Sequence, residues 1–250
     1  MLYEIRLKGR QKQGECSAIL FMSFMIIVLS VFSFSILPTV YLSVLKPEAE
    51  DNFQNIVSVA VAVGLLAFLI QSVACLSYGC DRFMLKRGEN KTSGARDIFY
   101  YFAPSRMVKL SFFLLKLNFL KLIIFIFLSF PCIICSYVFY SLSKDKFSAL
   151  VCVIFAVFTV VFLLQSVSTY NKIINTFFLV RYRYIKGEYL NFSNLLSISQ
   201  TEMRAKTKTL RALRWSFSGW FALALLIIPA PYVWCYYRQT LACFAADAMS

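Results

Sequence analysis

Apolar positions in this chain come in long unbroken runs. They do not alternate as half-buried strands do, and they are not the one-sided stripes of soluble helices. Five runs stand out, at 17–45, 56–76, 110–140, 148–178 and 215–237. A hydrocarbon layer about 30 Å thick requires roughly 20 apolar residues per helix. Membrane strands would alternate in segments of about ten, and these runs do not. The pattern predicts an all-α, polytopic helical membrane protein with about five transmembrane helices in one integral membrane domain, 1–250. The runs 17–45, 110–140 and 148–178 are longer than the membrane is thick. Each is expected to tilt, to kink (the first contains Pro38) or to extend into the interface. The polar start, 1–16, resembles the charged n-region of a signal peptide. The apolar run behind it is far longer than an h-region, so it reads as an uncleaved first span.

Composition agrees with the pattern. The chain is 60% hydrophobic and 15% charged, with mean hydropathy +0.69. Soluble domains run about 45–50% apolar and about 25% charged.

Charge orients the spans. Of the 26 Lys and Arg, 22 fall in or beside three segments: the start, and the connections 79–109 and 181–214. The other four, Lys46, Lys144, Lys146 and Arg238, fall on the opposite side if five spans are correct. The positive-inside rule then places the N-terminus in the cytoplasm and the C-terminus outside. Aromatic residues fit this layout. Trp215 opens the last run, and Trp234, Tyr236 and Tyr237 close it, as interfacial belts would. The net charge of +14 is thereby accounted for by topology, and no nucleic-acid partner is expected.

Two stretches resemble each other. Phe68-Leu69-Ile70-Gln71-Ser72-Val73 is echoed by Phe162-Leu163-Leu164-Gln165-Ser166-Val167. Lys86-Arg87-Gly88-Glu89 is echoed by Ile185-Lys186-Gly187-Glu188. This suggests a two-fold internal repeat of two-helix units followed by a final helix, as in some transporters; chance likeness between apolar helices is the alternative. Within the connections, Asp97–Phe102 and Met203–Leu213 are expected to form short interfacial helices. Met203, Leu210 and Leu213 share a helical face, and Arg204, Lys206, Lys208, Arg211 and Arg214 supply charge. That composition suits anionic headgroups at the cytoplasmic face of the lipid bilayer. An ordinary basic loop is the plainer reading.

Chemistry-bearing residues are few. The chain has no histidine, which excludes His-based triads, zinc sites and proton relays. Cys132 and Cys135 have redox spacing but lie mid-run after Pro131, in surroundings that make thiols inert. The apolar centres carry no Asp or Glu, which disfavours proton coupling. Gln71, Gln165, Asn171 and Asn175 sit toward the cytoplasmic ends of their helices, where they join helices or line a small cavity. Pro229 and Pro231 break the last run and mark a kink or hinge. Gly88 and Gly187 read as turn residues. No catalytic, cofactor or metal site is assigned.

The tail carries a further signal. Met203-Arg204 precedes Leu213-Arg214-Trp215-Ser216-Phe217-Ser218-Gly219-Trp220, and Pro231-Tyr232 and Tyr236-Tyr237 follow. This resembles the C-terminal motif of a bacterial family of uncharacterised integral membrane proteins, domain of unknown function 975. Arg87-Gly88-Glu89, Asp97-Ile98-Phe99 and Phe102 resemble its second connection. Ala205 stands where the family has Gly, and the Gly-containing break before Pro-Tyr is missing. The resemblance implies a multi-pass bacterial membrane protein and supplies no reaction. The expected function is that of a non-enzymatic accessory or envelope-associated protein of the cell membrane, with other membrane subunits as candidate partners. The alternative is a permease-like subunit or small-solute transporter.

Overall fold

A computed structural model describes residues 2–13, 21–22, 24–33, 35, 52–144, 149–187, 191–224 and 230–249. Among them there is no strand. The helices are α1 (Leu2–Gln13), α2 (Phe24–Ser33), α3 (Asn52–Gly88), α4 (Ala95–Ile98), a 3₁₀ turn (Tyr100–Phe102), α5 (Pro104–Lys144), α6 (Ala149–Thr176), α7 (Phe178–Lys186), α8 (Phe192–Trp215), α9 (Ser218–Ala224) and α10 (Ala230–Met249). Among the described residues, three segments are long and apolar enough to cross a membrane: Val63–Gly88, Pro104–Ser141 and Val153–Lys186. They correspond to the second, third and fourth predicted runs. The first run lies largely outside the described residues, apart from α2, and so does Pro38.

The residues form two compact units. One comprises Met1–Ser111, Tyr182–Tyr189 and Thr209–Ser250, the other Phe112–Arg181 and Leu190–Lys208.

In the second unit, α5 and α6 run antiparallel. Ser166 donates to the Leu128 carbonyl at 2.6 Å, and the Cys132 thiol reaches the Thr159 carbonyl at 3.8 Å. Phe125 and Tyr170 meet edge-on at 5.7 Å. Pro104 opens α5, where a missing N–H costs nothing. The helix continues through Pro131 without ending.

In the first unit, the core is built around the end of α3. The predicted second span stops at Leu76, yet α3 continues as one helix to Gly88. Cys75, Tyr78, Cys80, Phe83, Met84 and Leu85 are buried. The charges at Asp81 and Arg82 look like the start of a loop in sequence. They are tolerated in a packed helix because each has a partner, described below. The helix stops where Asn90 takes a left-handed φ of 59°. Its N–H bonds the Arg87 carbonyl at 3.0 Å, and the Lys91 N–H bonds the Lys86 carbonyl at 2.8 Å, closing the end as a Schellman-type cap. Lys12 of α1 donates to the carbonyls of Arg87 and Gly88 at 2.8 and 2.9 Å. A cation there complements the negative end of the helix.

The predicted fifth span is corrected. One helix from Trp215 to Tyr237 would separate its ends by roughly 33 Å. Instead, the Phe217 ring lies 5.0 Å from Tyr236 and 5.3 Å from Tyr237. Phe221 also packs on Tyr237, at 5.1 Å. The segment folds back, with α9 beside the first half of α10. Pro231 is the second described residue of α10. Pro229 lies outside the described residues.

The fold-back moves the end of the chain. α10 runs alongside α1 and the last turns of α3. A Cβ on Gly9 would meet Thr240 Oγ1 at 2.5 Å, and one on Gly88 would meet the Ala242 carbonyl oxygen at 3.4 Å. Lys8 pairs with Asp247 at 3.4 Å, and the Tyr236 hydroxyl bonds the Arg6 carbonyl at 3.4 Å. The N-terminal and C-terminal helices therefore lie together. The sequence expectation, by contrast, placed the two ends of the chain on opposite sides of the membrane. Sequence reading assumed that an apolar run of membrane length crosses. Here its second half finds a buried seat against α3.

Candidate functional site

The two basic connections contribute to a junction in the first unit. Asp97, within the connection 79–109, accepts from Lys86 at 2.7 Å, from Arg82 Nε at 3.2 Å and from the Gly94 N–H at 3.2 Å. Burial alone would raise the carboxyl's pKa. The hydrogen bonds from Lys86, Gly94 and Arg82 outweigh burial and hold it below the usual carboxylate range. Arg82 also stacks over Tyr100 at 3.7 Å, and Arg106 over the same ring at 3.9 Å. Each such stack contributes about 0.5–2 kcal/mol, according to its exposure.

From the other connection, Ile185 accepts from Arg82 at 3.3 Å, and Lys186 pairs with Glu89 at 3.7 Å. Tyr184 packs on Tyr78 and Tyr101, each at 6.3 Å. Burial pushes the Tyr101 hydroxyl far up, against the pull of Arg82, so it stays protonated. Gly187 ends α7 with φ 89°, a conformation that favours glycine. Parts of the two echoed stretches are thus brought together, through Glu89 and Lys186; Glu188 lies outside the described residues. The cavity at its centre measures about 30 Å³, room for roughly one water. The junction fixes the ends of α3 and α7, and it is too tight for a substrate.

A second cluster locks α10 to α3. Arg238 pairs with Asp81, donates to the Ser77 hydroxyl at 3.0 Å and to its carbonyl at 3.2 Å, and stacks on Trp234 at 4.5 Å. Next to it, the Gln239 amide donates to the Met84 carbonyl at 3.2 Å. Sequence reading missed this lock and assigned Arg238 to the external side. The available signal was the acids. Only 12 Asp and Glu accompany the 26 cations, and Asp81 and Asp97 lie in basic stretches, where an acid marks an ion pair.

The predicted polar residues separate. Gln71 donates to the Met107 carbonyl at 3.3 Å and approaches Cys75 Sγ at 3.7 Å; it joins α3 to α5. Gln165 and Asn171 are exposed, and Asn175 is buried. The matched glutamines of the echo therefore have different surroundings. Both Cys132 and Cys135 are half-buried thiols within α5.

Arg204, Lys206, Lys208, Arg211 and Arg214 of the connection 181–214 lie on α8. Met203, Leu210 and Leu213 are fully buried, as their shared face requires. Arg204, Lys208, Arg211 and Trp215 are exposed. Their spacing of four, three and four residues makes one stripe along the helix. Lys206 and Arg214 are half-buried. Arg214 instead bonds the Tyr237 hydroxyl. The five cations are not one surface: three form the stripe and two turn aside. Beside the stripe, in the second unit, a cavity of about 380 Å³ is lined by Thr176, Gln200, Thr201 and Arg204.

Searches against protein-family models, curated proteins and solved structures find no match for the chain.

Proposed function

We propose that the chain is a multi-pass protein of the bacterial cell membrane, working as a non-enzymatic accessory or envelope-associated subunit. One observation carries this reading. The apolar stretches of α5 and α6 bury none of their most hydrophobic windows inside the chain. Phe112, Leu115, Phe119, Phe127, Phe130 and Tyr137 share one exposed face of α5, which Leu122 and Phe125 widen, and Val153, Val157 and Leu164 share one on α6, which Phe158 widens. Such wide apolar faces are covered by lipid or by other membrane helices. The resemblance to the family of domain of unknown function 975 supports the same class.

Charge and fold together support one orientation. With α1 cytoplasmic, α10 is cytoplasmic too. Arg238 then joins the inner set, so 23 of the 26 cations lie inside. Two ends on one side require an even number of crossings. The first four runs supply four, and the folded-back tail supplies none.

A permease-like subunit is the second reading. The folded-back tail favours it, because helices that do not cross are tolerated where they are buried in protein or line a cavity. Alkaline extraction followed by copurification from the native membrane tests the proposal. The chain is expected to resist extraction and to bring other membrane subunits with it. Release into the soluble fraction would refute the membrane reading. A stoichiometric ATPase partner would favour transport.

A further inference from the structure

The cavity between the end of α6 and the middle of α8 has the chemistry of a phospholipid headgroup site. Its volume, about 380 Å³, lies within the roughly 300–1,000 Å³ of small-molecule pockets. Thr176 is the last residue of α6, which starts at Ala149. About 20 residues cross the hydrocarbon, so the end of this helix, with the basic connection that follows it, lies toward the headgroups.

The lining divides into donors and acceptors. Among the described residues, the Arg204 guanidinium and the Gln200 amide have no protein hydrogen-bond partner. Both are exposed to the cavity rim. They offer N–H groups to a phosphate, and the guanidinium adds the charge and fork geometry that phosphate oxygens match. The two threonines do the reverse. Thr176 gives its hydroxyl proton to the Ile173 carbonyl at 2.6 Å, and Thr201 gives its own to the Ser197 carbonyl at 2.9 Å. Their oxygens keep lone pairs that accept from a donor on the ligand. The wall is fixed by Ser199, fully buried, which ties α8 to the Thr176 carbonyl at 2.9 Å.

We infer that this cavity binds one phosphodiester headgroup whose alcohol carries a hydrogen-bond donor, such as phosphoglycerol or phosphoethanolamine. Phosphocholine offers the same phosphate without the donor and is the weaker ligand. Arg204 holds the phosphate, Gln200 adds a second donor, and the threonine oxygens select the alcohol. Lys208 and Arg211 continue the stripe outside the cavity and contribute attraction without selection. The inference rests on the membrane reading above.

Native mass spectrometry of the detergent-purified full-length chain tests it. The probes are dihexanoyl phosphatidylglycerol, dihexanoyl phosphatidylethanolamine, dihexanoyl phosphatidylcholine and soluble glycerol 3-phosphate. One saturable adduct is expected with the glycerol and ethanolamine lipids. Arg204→Ala should weaken it by about tenfold, the scale of one charged hydrogen bond, while Lys208→Ala weakens it far less. Arg204 is exposed, so an unchanged elution profile and melting curve will show that the variant folds. Equal loss in the two variants would overturn the site in favour of diffuse charge attraction. Equal binding of the choline lipid would overturn the role of the threonines. An Arg204-dependent adduct with glycerol 3-phosphate as tight as with the lipid would uphold the site and overturn its lipid source. Extraction of the chain by alkali refutes the membrane reading separately from any of these results.

Discussion

Asp97 shows how one acid organises a basic segment. It is mostly buried, with 13% of its side chain exposed, and it faces Lys86 and Arg82 from α3. Its pKa is lower in the fold than in the unfolded chain, where a value of about 3.9 is expected. Such a carboxyl stabilises the fold at pH above the unfolded value. That contribution disappears as pH falls through the folded value. The melting temperature of the intact protein is therefore expected to drop between about pH 4 and pH 2 by more than that of Asp97→Asn. Identical acid limbs in the two proteins would show that the junction does not depend on this charge. Asp97 also shows a limit of pattern reading. Counting cations by segment reveals the side of the membrane but says nothing of which cations are neutralised. Lys86 and Arg82 are neutralised by Asp97, and Arg204 is not neutralised among the described residues.

At the level of elements, α3 and α10 depend on each other. Asp81 is 1% exposed and Arg238 11%. Removing one partner of a buried pair strands the other, at a cost of about 3–5 kcal/mol, whereas replacing both with apolar groups is often neutral. Arg238→Leu is expected to lower the unfolding midpoint in detergent by that order. Asp81→Leu combined with Arg238→Leu should recover most of the loss. A double variant as unstable as the sum of the two single ones would contradict a paired role. Close packing sets the other docking in this unit: a Cβ on Gly79 would coincide with the Ile98 carbonyl oxygen.

The amphipathic face of α8 was legible, because Met203, Leu210 and Leu213 repeat at helical spacing and need no knowledge of partners. The extension of α3 past Leu76 was not. Its warrant is the pairing of Asp81 with a residue 157 positions away, which no local pattern records. The cavity at Arg204 was half legible. The cation was visible in sequence, but Thr176 and Gln200 come from helices that only the fold brings together.

Across the whole molecule, the long apolar runs identified the helical membrane class, since α5 and α6 each keep a wide apolar face exposed. The count of five came from treating 215–237 like the other runs. That run differs in its ends: Phe217, Trp220 and Phe221 on one side find Tyr236 and Tyr237 on the other, and aromatic pairs of this kind add about 0.5–1.5 kcal/mol each beyond the area they bury. The same aromatics that suggested two opposite interfaces form one contact. If α10 shares the side of α1, as proposed, Arg238 joins the inner cations and the charge asymmetry becomes stronger.

Paired topology reporters fused after Ser250 test the folded-back tail most directly. With α1 and α10 together on the cytoplasmic side, a reporter that works only in the cytoplasm will be active there, and one that works only outside will be silent. Activity of the external reporter, with the cytoplasmic one silent, would mean that 215–237 crosses the membrane and that α10 is not seated against α1 and α3.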